Sequence, residues 1–186
     1  MNRSDLLKSI AETSYNIGFG AKKHFATYDI IEKAPGWIGF ISTAVGILGL
    51  VIDALSTKFV SAIFVIIGIM GMYISAYDQE KNQYATAGTS LTRLFNELKV
   101  LYFDVKNLPD TADVTIYQTK LEEIESRYYP ICISKQILFS NWYAHYKFFW
   151  EHQIDWVDEQ LKFKLFRDKM PLSADSNPKF NTFVVS

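Results

Sequence analysis

The sequence has little of what most enzymes and metalloproteins need. It contains a single cysteine, Cys132, which excludes an intrachain disulfide and a multi-cysteine zinc site and suits a reducing compartment. Its histidines, His24, His145 and His152, are not spaced as metal ligands, since the last two lie two helical turns apart. No serine or cysteine has an evident base partner. We therefore predict no catalytic residue, no cofactor and no metal.

A strong net charge is also missing. The formal net charge of the 186 residues is −1, so the chain lacks the basic field of a general nucleic-acid binder, and no direct nucleic-acid binding is expected. The stretch GFGAKK (18–23) lacks the spacing of a phosphate-binding loop and follows no predicted strand. We interpret it as a hinge or turn. The acidic cluster Glu122, Glu123 and Glu125 is interpreted as a solvated helix face.

What the sequence does have is two uncharged runs of nineteen residues, 34–52 and 59–77, separated by six residues. As a helix, each run is about 28 Å long, close to the ~30 Å hydrocarbon core of a bilayer. The alternative is a pair of buried helices, but the remaining charged sequence offers too little protein to cover them on all sides. Trp37, Tyr73 and Tyr77 near the run ends fit aromatic belts. We predict a transmembrane hairpin over 34–77.

The orientation of this hairpin follows from the flanking cations. Five of them lie outside the hairpin, whereas the connecting turn has only one, and by the positive-inside tendency both termini are expected in the cytoplasm. The first run then acts as an uncleaved signal anchor. The flanking cations are Lys22, Lys23, Lys33, Lys81 and Arg93, and the turn has Lys58.

Small residues recur at helical spacing in both runs. No ionisable residue lies within either run, which argues against a proton-coupled transporter. Small faces allow close helix approach in lipid, so they are interpreted either as packing between the two runs or as self-association and pore lining, with Asp53 or Asp78 at a mouth. Two helices cannot enclose a path alone, so any channel must be an oligomer. The candidate packing or pore residues are Gly39, Ser42, Gly46, Gly49 and Asp53 in and just after the first run, and Ser61, Gly68, Gly71, Ser75 and Asp78 in and just after the second.

The remaining sequence predicts cytoplasmic helices. Residues 1–33 read as an amphipathic helix that Gly18 and Gly20 weaken or break, with Pro35 placed to start a new helix. After the second run, a helix is predicted to continue into the cytoplasm and to end at a turn over 108–113. A second helix follows and ends at Pro130, so that the two helices form an αα-hairpin. Its core positions are predicted to be Leu91, Leu94, Phe95, Leu98, Leu101, Tyr102 and Val105, followed by Val114, Tyr117, Leu121, Ile124 and Tyr128.

A third long helix is predicted over 138–170 and is crowded with aromatic residues. Two interpretations remain open: it packs in the core of the helical bundle, or it presents an interfacial or oligomer surface, since Trp and Tyr favour both. The predicted organisation is thus a bundle over 78–170 and a loose tail over 171–186, with Pro171 ending the helix.

The ordered set of segments resembles a known family. The stretch NIGFGAKKHFATYDIIEKAPGWIGFISTAVGI (16–47), a short turn and a second glycine-bearing run are followed by GTSLTRLFNELKVLY (88–102) and the aromatic NWYAHYKFFW and IDWVDEQL segments. This set resembles the SLATT family, the SMODS- and SLOG-associating two-transmembrane effectors of bacterial conflict systems. The resemblance implies a pore-forming or membrane-disrupting anti-phage effector of the abortive-infection type, coded beside a second-messenger synthase or a reverse-transcriptase system. It supplies no catalytic residues.

The sequence therefore predicts an all-α membrane protein with a two-helix transmembrane hairpin and a cytoplasmic helical bundle, located in the bacterial inner membrane as a homo-oligomer. Its partners are the lipid bilayer and an upstream signalling system. The alternative function is a membrane-tethered scaffold or binding module without pore activity.

Overall fold

The computed structural model describes residues 2–55, 57–133, 135–151 and 154–163. Within these ranges the chain is helical and has no strand, as predicted. One-turn 3₁₀ helices connect several of the elements, at Asp53–Leu55, Asp78–Glu80 and Tyr129–Ile131. The α-helices are α1 (Arg3–Leu48), α2 (Lys58–Ser75), α3 (Lys81–Lys106), α4 (Thr115–Tyr128), α5 (Ser140–Glu151) and α6 (Asp155–Leu161).

Helix α1 is the axis of the molecule. It has 46 residues, which corresponds to roughly 69 Å at the rise of an α-helix. The Asn2 side chain accepts a hydrogen bond of 2.8 Å from the Asp5 backbone N–H and so caps the first turn. The N-terminal two thirds of α1 is buried on one face, whereas the part after Ile31 is largely exposed.

Helices α2 and α3 lie end to end and run antiparallel to α1. Near the C-terminal end of α1, Ile38 packs against α2. A Cβ on Gly71 of α2 would lie 3.8 Å from Cδ1 of Ile38. Towards the start of α1, a Cβ on Gly88 of α3 would lie 3.0 Å from the ring of Phe25. At the start itself, the Arg3 guanidinium donates to the carbonyl of Val105 at 3.1 Å and so satisfies the C-terminal end of α3.

The predicted break and restart of α1 are wrong. The helix passes through Gly18, Gly20 and Pro35 without interruption. The space at Gly18 is too small for a larger residue, because a Cβ there would lie 2.9 Å from the rings of both Phe95 and Phe148. Tertiary packing on both sides therefore outweighs the low helix propensity of glycine. Pro35 removes one backbone donor, and the helix continues around it.

The main core lies between α1, α3 and the later helices. All seven core positions predicted for α3 are buried, which confirms that part of the periodicity. The αα-hairpin of α3 and α4 is also confirmed, with α4 ending at Tyr128 before a 3₁₀ turn that holds Pro130. In α4, Leu121 and Ile124 are buried and Val114 lies just before it in the same core.

The long helix predicted over 138–170 is wrong within the described residues. The segment forms two separate helices, α5 and α6, with the non-helical Ile154 before α6. Ile154 is buried, and Trp156 and Val157 of α6 follow it into the core, where the Trp156 ring lies 5.0 Å from that of Tyr102. Because α6 is separate from α5, its Trp156 ring reaches α3. The rest of the prediction, 164–170, and the tail 171–186 lie outside the described residues.

Candidate membrane-spanning site and the loop that anchors it

One helical run in the described ranges, Lys58–Lys106, contains a window long and apolar enough to cross a membrane, by length and composition. Only 6% of that window is buried inside the protein. A core helix of a soluble protein would be mostly covered, so this window is not explained by the protein's own core. The window belongs to the α2 end of the run, where uncharged residues extend from 59 to 77.

The end of α1 beside α2 is apolar and equally uncovered. Its uncharged helical part runs from 34 to the end of α1 at Leu48, about 22 Å of helix. Trp37 and Phe40 are 63% and 67% exposed, and their rings meet edge to face at 6.2 Å. In the turn that follows, Leu50 and Val51 are 87% and 83% exposed. The two apolar segments therefore form one continuous uncovered surface.

The candidate small residues do not all lie between α1 and α2. Gly71 contacts Ile38, and Ser42 and Gly49 are half-buried. The others in the two helices face outwards: Ser61 and Ser75 are exposed, and a Cβ at Gly39, Gly46 or Gly68 would meet nothing within 4 Å. The contact between the two helices thus uses only part of each small-residue face.

The two candidate acidic residues lie at opposite ends of α2. Asp53 is exposed in the 3₁₀ turn between α1 and α2. Asp78 lies just after α2, 3.1 Å from the Lys81 ammonium, which also pairs with Glu32 of α1 at 2.9 Å. These hydrogen bonds raise the pKa of Lys81, so its charge persists at neutral pH. Asp78 therefore belongs to an ionic contact between α1 and the α2–α3 junction.

A second, smaller core marks the boundary between the apolar segments and the bundle. Its buried members are Ile31 of α1, Ile74 and Tyr77 at the end of the second uncharged run, Tyr84 of α3, and Ile137. Ile137 comes from the loop between α4 and α5, far away in sequence. This boundary cluster brings α1, α2, α3 and that loop together at one level.

Hydrogen bonds hold this loop in place. The Gln136 amide accepts from the Thr27 hydroxyl at 2.6 Å and donates to Nδ1 of His24 at 3.1 Å. Its nitrogen also donates to the carbonyl of Ile133 at 2.7 Å. Tyr84 donates its hydroxyl to the carbonyl of Lys135 at 2.8 Å. The α4–α5 loop is therefore bound to both α1 and α3 directly beside the boundary cluster.

An ionic contact continues this anchoring into α5. The Asp29 carboxylate accepts hydrogen bonds from Lys147 of α5 and, at 3.0 Å, from Lys33. Burial alone would raise the pKa of Asp29, but the hydrogen bonds from the two ammonium groups outweigh it and hold the pKa below its usual range. One carboxylate thus faces two cations, so the trio carries a net positive charge at neutral pH.

A shallow groove of about 370 Å³ lies on the outside of α1 next to this trio. It is lined by Lys33, Gly36, Trp37 and Phe40. The groove combines a cation with aromatic rings at the point where the uncharged run begins. Such a combination is typical of the interface between lipid headgroups and acyl chains.

Sequence reasoning missed the residues of the loop. Gln136, Lys135 and Ile137 have no periodicity or motif that separates them from an ordinary connection, and their partners lie more than fifty residues away. It also missed the Asp29–Lys147 pair for the same reason. Within the described ranges, no three potential metal ligands of the His, Cys, Asp or Glu type come together.

The fold and this site define an all-helical, membrane-associated protein, in which uncovered apolar helices extend from a packed helical bundle. The chain belongs to the SLATT family: the family model for SMODS and SLOG-associating 2TM effector domain 6 matches residues 1–177. Members of this family are described as two-transmembrane effectors in anti-phage conflict systems, and the family is not a known enzyme family. No curated protein and no solved structure shows significant similarity to it.

The contact between His24 and Gln136 predicts a specific dependence of stability on pH. The amide nitrogen of Gln136 can only donate, so Nδ1 of His24 must be unprotonated. Burial, and then the charge of Lys23, lower the pKa of His24 to about 4. Because the unfolded chain binds this proton near pH 6.5, the contribution of neutral His24 is fully present above that pH and is lost as the pH falls towards 4.

The expected loss between pH 7 and pH 5 is on the order of 2 kcal/mol of unfolding free energy. The measurement is denaturant unfolding of the detergent-solubilised protein and of His24→Gln at several pH values. The difference in stability between the two proteins should shrink as the pH falls below 6.5. A difference that stays constant from pH 7 to pH 4.5 would contradict a neutral, buried His24.

Proposed function

We propose that this protein is the membrane effector of its anti-phage system. In this proposal, residues 34–52 and 59–77 form a transmembrane hairpin in the bacterial inner membrane, with both termini in the cytoplasm. Several hairpins assemble into a homo-oligomer and make the membrane leak when an upstream second-messenger synthase or reverse-transcriptase partner gives the signal. The output is collapse of the membrane potential and arrest of the infected cell.

One observation carries this proposal beyond membership of the family. The contact between α1 and α2 leaves the outward positions at Gly39, Gly46 and Gly68 unused, with open space where each Cβ would be. In lipid, apolar surface alone does not drive helices together, and small residues support association because they let backbones approach closely. Outward small residues on both helices therefore favour contacts with other copies of the hairpin.

The bundle supports a gated mechanism. The loop contacts of Gln136 and Lys135 and the ion pair of Asp29 with Lys147 join α5 to the base of the hairpin. A change in how the bundle is bound by a partner would reach the apolar helices through this connection. The alternative, a scaffold that the hairpin only tethers, has no need of outward glycines and tolerates leucine in their place.

The hairpin is tested by labelling its turn. With Cys132→Ser as background, Val51→Cys places a thiol in the exposed turn, and Ile116→Cys places one on the exposed side of α4. We expect a membrane-impermeant maleimide to label the first variant in intact spheroplasts and the second only after lysis. Protection of both thiols until lysis would contradict a turn on the outer side of the membrane.

A further inference from the structure

We propose that the turn before α5, together with the first turn of α5, is a second membrane contact of this protein. Leu138, Phe139 and Trp142 enter the boundary between headgroups and acyl chains of the cytoplasmic leaflet, beside the hairpin. The occupant of this surface is the lipid bilayer itself. The inference rests on the proposed hairpin, which sets where the bilayer lies.

The depth of this surface relative to the bilayer follows from the position of the preceding residue, Ile137. Ile137 is 3% exposed and is packed in the boundary cluster with Ile31, Ile74 and Tyr77. Ile74 and Tyr77 are at the end of the second uncharged run, so they mark the cytoplasmic face of the hairpin. Leu138 and Phe139 follow Ile137 directly and therefore emerge at that same level.

The side chains at this level are large, apolar and uncovered. Leu138, Phe139 and Trp142 are 62%, 63% and 58% exposed, whereas Ser140 on the other face of α5 is buried. Tryptophan at this depth suits the membrane interface, because its ring is amphipathic.

The backbone of Phe139 supports an outward placement. Its φ is 68°, in the left-handed region that a bulky residue rarely adopts. The backbone is held there between the bound loop, where the Gln136 amide is hydrogen-bonded, and the first turn of α5. A strained conformation that presents a phenyl ring to the surface suggests a use for that ring.

The charges around this surface suit a phospholipid layer. Lys33 and Lys147 both pair with Asp29, and the Lys33 side chain is 63% exposed where the first uncharged run begins. The Lys147 ammonium lies 4.8 Å from the centre of the Tyr143 ring, next to Trp142. The exposed Lys33 ammonium can therefore meet the anionic lipid phosphates of the cytoplasmic surface. A protein partner would not require the exposed side chains to lie at the level of the bilayer surface.

The exposed aromatic residues further along α5 lie outside this contact. Further along the same exposed face, Tyr146 and Trp150 stack at 6.2 Å, and Trp150 is 76% exposed. Their neighbour Phe148 packs on Gly18 of α1, which is about 24 Å along that helix from residue 34. Trp150 is therefore expected in water, and it offers a matched control on the same helix.

The experiment uses an environment-sensitive NBD label on single cysteines of the full chain in the Cys132→Ser background. The labelled variants are Phe139→Cys and Leu138→Cys at the proposed contact, Trp150→Cys as the water control, and Val65→Cys within α2 as the hairpin control. Each is reconstituted in vesicles of phosphatidylcholine and phosphatidylglycerol, with or without nitroxide-labelled (doxyl) acyl chains. We expect the nitroxide lipid to quench the NBD label at positions 138, 139 and 65 several-fold more than at position 150.

The outcomes separate this inference from the hairpin. Quenching of the label at position 65, with no quenching at positions 138 and 139, would overturn the second membrane contact and leave the hairpin intact. Absence of quenching at 65 would overturn the hairpin and, with it, the level on which the contact depends. A blue-shifted emission at 139 without quenching would assign the surface to a second copy of the chain and would also overturn the proposal.

Discussion

Gly68→Leu is expected to weaken assembly of the hairpins strongly while leaving the fold of the single chain intact. A Cβ at this position would meet nothing within 4 Å in the chain itself, so a larger side chain here starts into open space and points away from the protomer's own helices. Between copies, it separates the backbones that a glycine allows to approach closely. We expect the fraction of oligomer trapped by an amine-reactive crosslinker in membranes to fall on the order of tenfold, equivalent to about 1.4 kcal/mol of association free energy.

Ile69→Leu is the matched control for this change. Ile69 is the next residue, is 56% exposed, and keeps its bulk in the variant. It should therefore crosslink like the wild type at equal membrane abundance. Unchanged crosslinking of Gly68→Leu would contradict assembly through the outward glycines and favour the tethered scaffold.

The second large effect is expected inside the bundle, from the pair Gly18→Ala and Gly20→Ala. Both glycines lie within α1, so alanine improves helix propensity at each by roughly 1 kcal/mol. At Gly18 the new Cβ lies 2.9 Å from the buried rings of Phe95 and Phe148, which are held between α1, α3 and α5. Overpacking of this kind typically costs about 1–3 kcal/mol.

At Gly20 the nearest atom to the new Cβ is Cδ1 of Leu91, at 3.6 Å, an ordinary contact. We therefore expect Gly18→Ala to lower the midpoint of thermal unfolding in detergent and Gly20→Ala to leave it unchanged or raise it. For a chain of this size, each 1 kcal/mol corresponds to about 2–4 °C. Equal shifts of the same sign in both variants would contradict the tight contact at Gly18.

The sequence predicted those parts of the fold that periodicity controls. Helix α3 has apolar residues at steps of three and four from Leu91 to Val105, and all of them lie in the core. The turn at 108–113 and the end of α4 before Pro130 could also be predicted, because proline and aspartate favour turns and helix ends through local backbone effects. The two uncharged runs were visible for the same reason, since length and lack of charge are properties of the sequence itself.

The parts that failed depend on contacts between distant segments. Gly18 looks like a break until Phe95 and Phe148 are known to close on it from two other helices. The aromatic segment looks like one helix until Trp156 is placed against Tyr102 of α3. The anchoring loop could not be predicted, because no motif or periodicity around Gln136 indicates that its partners are Thr27 and His24. Of the candidate small residues, sequence spacing gave the faces but not which members point away from the partner helix.

The most direct test of the proposed function is the membrane potential of bacteria that produce the full chain together with its upstream signalling partner, read with a voltage-sensitive dye. We expect depolarisation with the wild type and with Ile69→Leu, and a normal potential with Gly68→Leu at equal membrane abundance. A potential that stays normal with the wild type and an active partner would contradict a membrane-disrupting effector and leave the tethered scaffold in its place.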